Sequence, residues 1–134
     1  MRALLVALAL LTLSACAPRD TDAADRSDPI TTVPQLEAAL SSSGLLLSPR
    51  GMTTRALGGA SGEEYAVRGV TDGFIQVYRF ASEEEADRNV GFIAPSGPSG
   101  SVEVYQSGPL VVAAFGRSAT INTALRRALG APRL

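Results

Sequence analysis

A run from Ala3 to Leu13, apolar at every position but Thr12, leads directly into Leu13-Ser14-Ala15-Cys16 and divides the chain before any fold can be considered. Eleven helical residues span roughly 16 Å, about half of a ~30 Å hydrocarbon core. The run is too short to cross a bilayer comfortably and has the length of the apolar region of an export signal. Met1 and Arg2 supply a minimal positive start. The chain therefore divides into a signal over residues 1–15, a linker over 16–31 and a folding unit over 32–130. About 100 residues bury enough surface to fold without disulfides.

Side-chain chemistry narrows the functions available. The 134 residues are 46% hydrophobic and 19% charged, a balance that suits a packed core rather than disorder. His, Lys and Trp are absent, and Cys16 is the one cysteine. A Ser-His-Asp, Cys-His or Ser-Lys centre is thereby excluded. So are a zinc site of the His/Cys kind and an internal disulfide. No metal and no cofactor are expected. Formal net charge is −1, and removal of Arg2 leaves 11 Arg against 13 acidic residues, a balance of −2. Neither a basic field for nucleic acid nor an acidic one for cationic partners is present.

Leu13-Ser14-Ala15-Cys16 resembles the lipobox of bacterial lipoproteins at each of its four positions. The resemblance implies that Leu13, Ser14 and Ala15 are recognised by a signal peptidase that cuts before Cys16. It further implies a diacylglyceryl group on the Cys16 thiol, export, and anchoring to the cell membrane or the outer membrane. Each buried methylene of an acyl chain contributes about 0.8 kcal/mol, so two or three chains hold a protein essentially permanently. Ala17 is not the Asp associated with inner-membrane retention in some Gram-negative bacteria, which favours the outer membrane where the host has one. Residues 17–31 carry Asp20, Asp22, Asp25 and Asp28 with Pro18 and Pro29 and no apolar period, as a tether does. The aspartate spacing lacks the turn glycine and closing Glu of a calcium loop.

Beyond the tether, Thr32 and Pro34 open a helix that ends near Gly44. A weak strand is expected near Met52–Leu57. Glu64–Thr71 and Phe74–Phe80 read as a hairpin turning at Asp72-Gly73. Neither face of its second strand is wholly polar, so part of each face is expected to be covered. Ser82 with Glu85 makes a capping box for a helix to about Ile93, and Glu83, Glu84 and Glu85 suit its dipole without a bound cation. Val102–Gln106 and Leu110–Phe115 form a second hairpin through Ser107-Gly108-Pro109. Ala119–Leu129 is a last helix burying Ile121, Leu125 and Leu129, with Arg126 and Arg127 at its end and Gly130 then Pro132 to stop it. The fold class is α+β, with an antiparallel sheet of four or five strands and helices packed on one face, in the order α-(β)-β-β-α-β-β-α.

From Val70 onward the chain resembles a family of short, uncharacterised bacterial lipoproteins. The stretches that carry the likeness are Val70-Thr71-Asp72-Gly73, Gln76-Val77-Tyr78-Arg79-Phe80, the acidic helix start Ser82 to Asp87, and Ala94-Pro95-Ser96-Gly97. Tyr105-Gln106-Ser107-Gly108-Pro109-Leu110-Val111-Val112 and the ending Leu125 to Gly130 complete it. With the lipobox and first helix the likeness covers most of the chain. It implies a lipobox signal and a small α+β domain of unknown function. Where members carry a His before the fourth-strand aromatic and acids after the fifth strand, this chain has Val104 and Gly116-Arg117-Ser118.

Three functions are compatible with this inventory. The leading one is a non-catalytic, membrane-anchored module that binds an unidentified envelope protein or stabilises an assembly, with Tyr65, Phe74, Tyr78 and Tyr105 as candidate contact aromatics, although core packing is the more expected role for each; a monomer is expected. The second is binding or sensing of a small anionic ligand by Arg68, Arg79 or Arg88. The third, less favoured, is a carboxylate hydrolase with Glu64 and Glu103 as acid and base.

Overall fold

The structure, a computed structural model, describes residues 28–53, 58, 60–93 and 101–134. Thr32 opens the first helix, α1 (Val33–Ser42): its hydroxyl accepts from the Gln35 amide, and the Gln35 side chain accepts in return from the Thr32 amide at 3.1 Å. At the other end Gly44, at φ +79°, lets Leu45 N–H reach Leu40 O at 3.0 Å while Gly44 N–H reaches Ser41 O at 2.9 Å. These two bonds satisfy carbonyls that a helix end leaves open. Ile30, just ahead of the helix, already packs on the core.

Five strands follow: β1 (Leu47–Met52), β2 (Ser61–Val67), β3 (Gly73–Arg79), β4 (Val102–Ser107) and β5 (Leu110–Gly116). They form one antiparallel sheet in the order β1-β2-β3-β5-β4. Helix α2 (Glu83–Asn89) and a 3-10 turn (Val90–Phe92) join β3 to β4, and α3 (Ala119–Leu129) follows β5. The α+β class and the element order therefore match the sequence expectation.

The helices do not all share a face. Alternation along β5 sends Leu110, Val112 and Ala114 into a core with Leu36, Leu40, Ile121 and Leu125 from α1 and α3. It sends Val111 and Ala113 into a second core with Ala86 of α2, Tyr78, Phe80, Ile93 and Val104. The one-face arrangement holds for α1 and α3, and α2 lies opposite. The physical reason is β5 itself, whose residues Leu110 to Ala114 are all buried, so both of its faces need a cover.

Two local expectations change. The first hairpin does not turn at Asp72-Gly73. Val70 N–H closes on Val67 O at 3.0 Å beside Gly69 at φ +80°, and Gly73 is already in β3, opposite Gly116. A Cβ on Gly73 would sit 2.9 Å from Phe115 O, so the glycine serves a close backbone approach. The weak strand expected at Met52–Leu57 is placed earlier, as β1, whose register slips between Pro49 and Gly51; residues 54–57 lie outside the described residues.

Past α3 the chain returns to the sheet. Val104 N–H donates to Leu134 O at 3.1 Å, and Arg133 N–H donates to Val104 O at 2.7 Å. Gly130, at φ +88°, makes the turn that permits it.

Candidate functional site

A motif of Glu or Gln two residues before Tyr recurs on three strands, and it decides where most of the reactive side chains go. Residues i and i+2 of a strand share a face. Tyr65 Oη donates to Glu63 at 2.5 Å, Tyr78 Oη donates to the Gln76 side chain at 2.7 Å, and Tyr105 Oη donates to Glu103. Each phenol body lies in the core while its hydroxyl is met by its own strand, as a buried hydroxyl requires. Burial, and then the Glu63 carboxylate, pushes the Tyr65 phenol above its ordinary range.

The strongest polar cluster joins β4 to α3. Arg126 reaches Glu103 Oε1 at 2.7 Å and Oε2 at 3.4 Å, while Tyr105 Oη also lies 3.3 Å from the Asn122 carbonyl. The Tyr105 hydrogen bond first, and then Arg126, holds the Glu103 carboxyl below the usual carboxylate range against opposing desolvation. Burial and Glu103 together push the Tyr105 phenol up to about 12. A neutral phenol, a carboxylate and a guanidinium so arranged fasten a helix to an outer strand.

On the opposite face a second polar chain crosses three strands. Arg50 pairs with Glu64 at 3.4 Å, Gln76 donates to Glu64 at 3.1 Å, and Tyr78 donates to Gln76. Beside it Phe74 and Phe115, directly opposite one another in β3 and β5, stack with centroids 4.9 Å apart and planes 6° from parallel. Both are half-buried, and they floor an open depression of about 510 Å³ that Arg50, Asp72 and Gly116 also line. A second open depression, about 470 Å³, lies between α1 and α3 and is lined by Gln35, Ser42 and Arg127 among others.

The residues named from sequence are dispersed. Tyr65, Tyr78 and Tyr105 are buried, so of the four contact aromatics only Phe74 keeps an accessible face. Arg79 pairs across from Ser61 and Arg68 follows Val67 at the other end of the hairpin, roughly 20 Å away along the strand. Arg88 sits on α2, 4.0 Å from Glu84. The three arginines do not converge, and none of them lines either depression. Glu64 and Glu103 point to opposite faces and are three strand spacings apart, about 14 Å, so they form no acid–base pair. Glu85 accepts from Ala81 N–H at 3.1 Å, one residue earlier than a capping box would have it, and Ser82 accepts from Glu85 N–H at 3.2 Å. Among the described residues no three metal-capable side chains come together, and no helix is long and apolar enough to cross a membrane. Leu13, Ser14, Ala15 and Cys16 lie outside the described residues.

Sequence reasoning missed the three tyrosine pairs, although the signal was available: Glu63, Gln76 and Glu103 each stand two positions before a Tyr. It also missed Phe115 as the partner of Phe74, which depends on β3–β5 register. No family model, no curated protein and no solved structure matches the chain.

Proposed function

We propose that this chain is a lipoprotein held on an envelope membrane through Cys16, whose folded part is a non-catalytic binding module. The observation that carries this is the apolar run ending in Leu13-Ser14-Ala15-Cys16, followed by an Asp- and Pro-rich stretch and then a small α+β domain. The resemblance to short bacterial lipoproteins supports the same conclusion. The binding role is supported by how the reactive groups are used. The three tyrosine hydroxyls are engaged by neighbours on their own strands, and Glu103 is committed to Arg126. Among the surfaces the described residues offer outward is the half-buried Phe74–Phe115 stack flanked by Arg50 and Asp72, a mixture of aromatic and charged surface suited to contact with a partner.

Fractionation in the native host tests the proposal. The wild-type chain is expected in the membrane fraction and to resist extraction by salt and carbonate. Cys16→Ser removes the acyl acceptor, so the variant is expected to lose the lipid anchor and run as the uncut precursor. A Cys16→Ser chain that is cut and attached as firmly as wild type overturns the proposal.

A further inference from the structure

The two edges of the sheet are treated differently. Edge strands expose unpaired backbone groups that invite another strand, and folds blunt them with proline, charge, bulges or a cover. β1 carries Pro49, Arg50 and a register slip between Pro49 and Gly51. β4 has neither proline nor register slip, and its one charge, Glu103, is committed to Arg126 of α3: it pairs with β5 in unbroken register from Val102 to Ser107, and it is partly apolar. Its protection comes from residues 132–134. Val104 offers both its N–H and its C=O to this strap, so the outward-facing residues of β4 are Val102, Val104 and Gln106. Among the described residues only Val104 of the three has a backbone partner on that side.

Besides its two backbone bonds to Val104, the strap is held by the Arg133 side chain. Arg133 reaches Asp87 Oδ1 of α2 at 2.5 Å, and the Gln106 side-chain oxygen at 3.2 and 3.3 Å. Asp87 and Gln106 thus form a guanidinium receptor beside a strand on which, among the described residues, two of the three outward-facing positions have no backbone partner. A longer extended segment with arginine in the same place would keep every contact the strap makes and add those at Val102 and Gln106.

We propose that the outer edge of β4 is a strand-addition site for an extended peptide bearing an arginine, and that residues 132–134 occupy it as an internal stand-in. This rests on the binding-module function above and names the class of partner: a protein segment that adds as a sixth strand and places its arginine between Asp87 and Gln106. The strap competes from a high effective concentration because it is covalently attached. Arg133 is therefore the latch.

The test uses the full-length lipidated chain in detergent micelles, with amide resonances of Val102, Val104 and Gln106 followed by NMR. The probe is the synthetic peptide Leu-Gly-Ala-Pro-Arg-Leu, the sequence of residues 129–134. Arg133→Glu turns the latch against Asp87 and is expected to tighten peptide binding at least tenfold over wild type, with saturable shifts at Val104 and Gln106, the two positions this peptide reaches. A peptide with Glu in place of Arg is expected not to bind. Deletion of residues 132–134 provides a second open form should Arg133→Glu fail to fold. Equal affinity for wild type and an open form, equal binding of the Glu peptide, or shifts confined to other strands overturns the proposal. So does a doubling of particle mass in the open form without peptide binding, which would make a second copy the occupant. Failure of membrane attachment strikes the anchor and leaves this titration unaffected, so the two proposals fail separately.

Discussion

Replacing Gly116 with alanine tests whether β3 and β5 meet as closely as the fold requires. Gly116 ends β5 at φ +102°, and a Cβ there would lie 2.1 Å from Asp72 O and 2.9 Å from Gly73 Cα. Both neighbours are backbone, so no side chain can swing aside. The strand ends must separate, or the residue must abandon its conformation. A non-glycine residue in such a region costs about 1–3 kcal/mol. Either escape also disturbs the hydrogen bond from Arg117 N–H to Asp72 O at 3.2 Å, worth about 1 kcal/mol. The expected loss is thus about 2–4 kcal/mol, which for a domain of this size lowers Tm by roughly 10–25 °C. Urea and thermal unfolding followed by far-UV circular dichroism measure it. Gly91→Ala is the control: nothing lies within 4 Å of the added carbon, and the substitution is expected to be neutral or to stabilise by about 0.4–1 kcal/mol. Were Gly116→Ala to unfold within 1 kcal/mol of wild type, the close approach of β3 and β5 would be wrong.

Other consequences follow from the cores and the β4–α3 cluster. Leu125 is fully buried between α3 and the sheet, so Leu125→Ala is expected to cost about 2–5 kcal/mol in denaturant titration; Leu46→Ala, at 44% exposure, should cost no more than about 0.5 kcal/mol. Tyr105 bears on both ends of the pH profile. Its folded pKa, about 12, exceeds the ordinary 10, so its contribution is fully present below pH 10 and is lost as pH rises through 12. The depressed Glu103 works in the other direction: its contribution is present above the ordinary carboxylate range and is lost as pH falls through its lowered pKa. Tyr105→Phe is expected to flatten the stability profile at both extremes, and an unchanged profile would contradict the cluster.

What was legible in the sequence was whatever is decided within a few residues. The α3 bounds follow from Ile121, Leu125 and Leu129 at fourfold spacing, with Gly130 to end the helix; its Ser118 cap is visible only in the structure. The second hairpin was readable because Gly108-Pro109 leaves β4 and β5 no alternative turn. Features set by distant partners were not. Gly73 looks like a turn residue, and its real constraint is the carbonyl of Phe115, far along the chain. β1 contains Pro49 and Gly51 and has no alternation; it becomes a strand because β2 offers it an edge. The position of α2 depended on recognising that five consecutive buried residues in β5 demand cover on both sides. Of the proposed site residues, Tyr65, Tyr78 and Tyr105 take the core-packing role that was the more expected one for each, and a Tyr with an acceptor two positions earlier needs no outside partner, as Tyr65 and Tyr105 show.

The lipid anchor is tested most directly by the intact mass and N-terminal sequence of the chain isolated from its native envelope. The expected protein starts at Cys16 and carries the added mass of a diacylglyceryl group on that residue, with or without a further acyl chain on its amine. A chain that still begins at Met1, or one with an unmodified thiol at position 16, would contradict it.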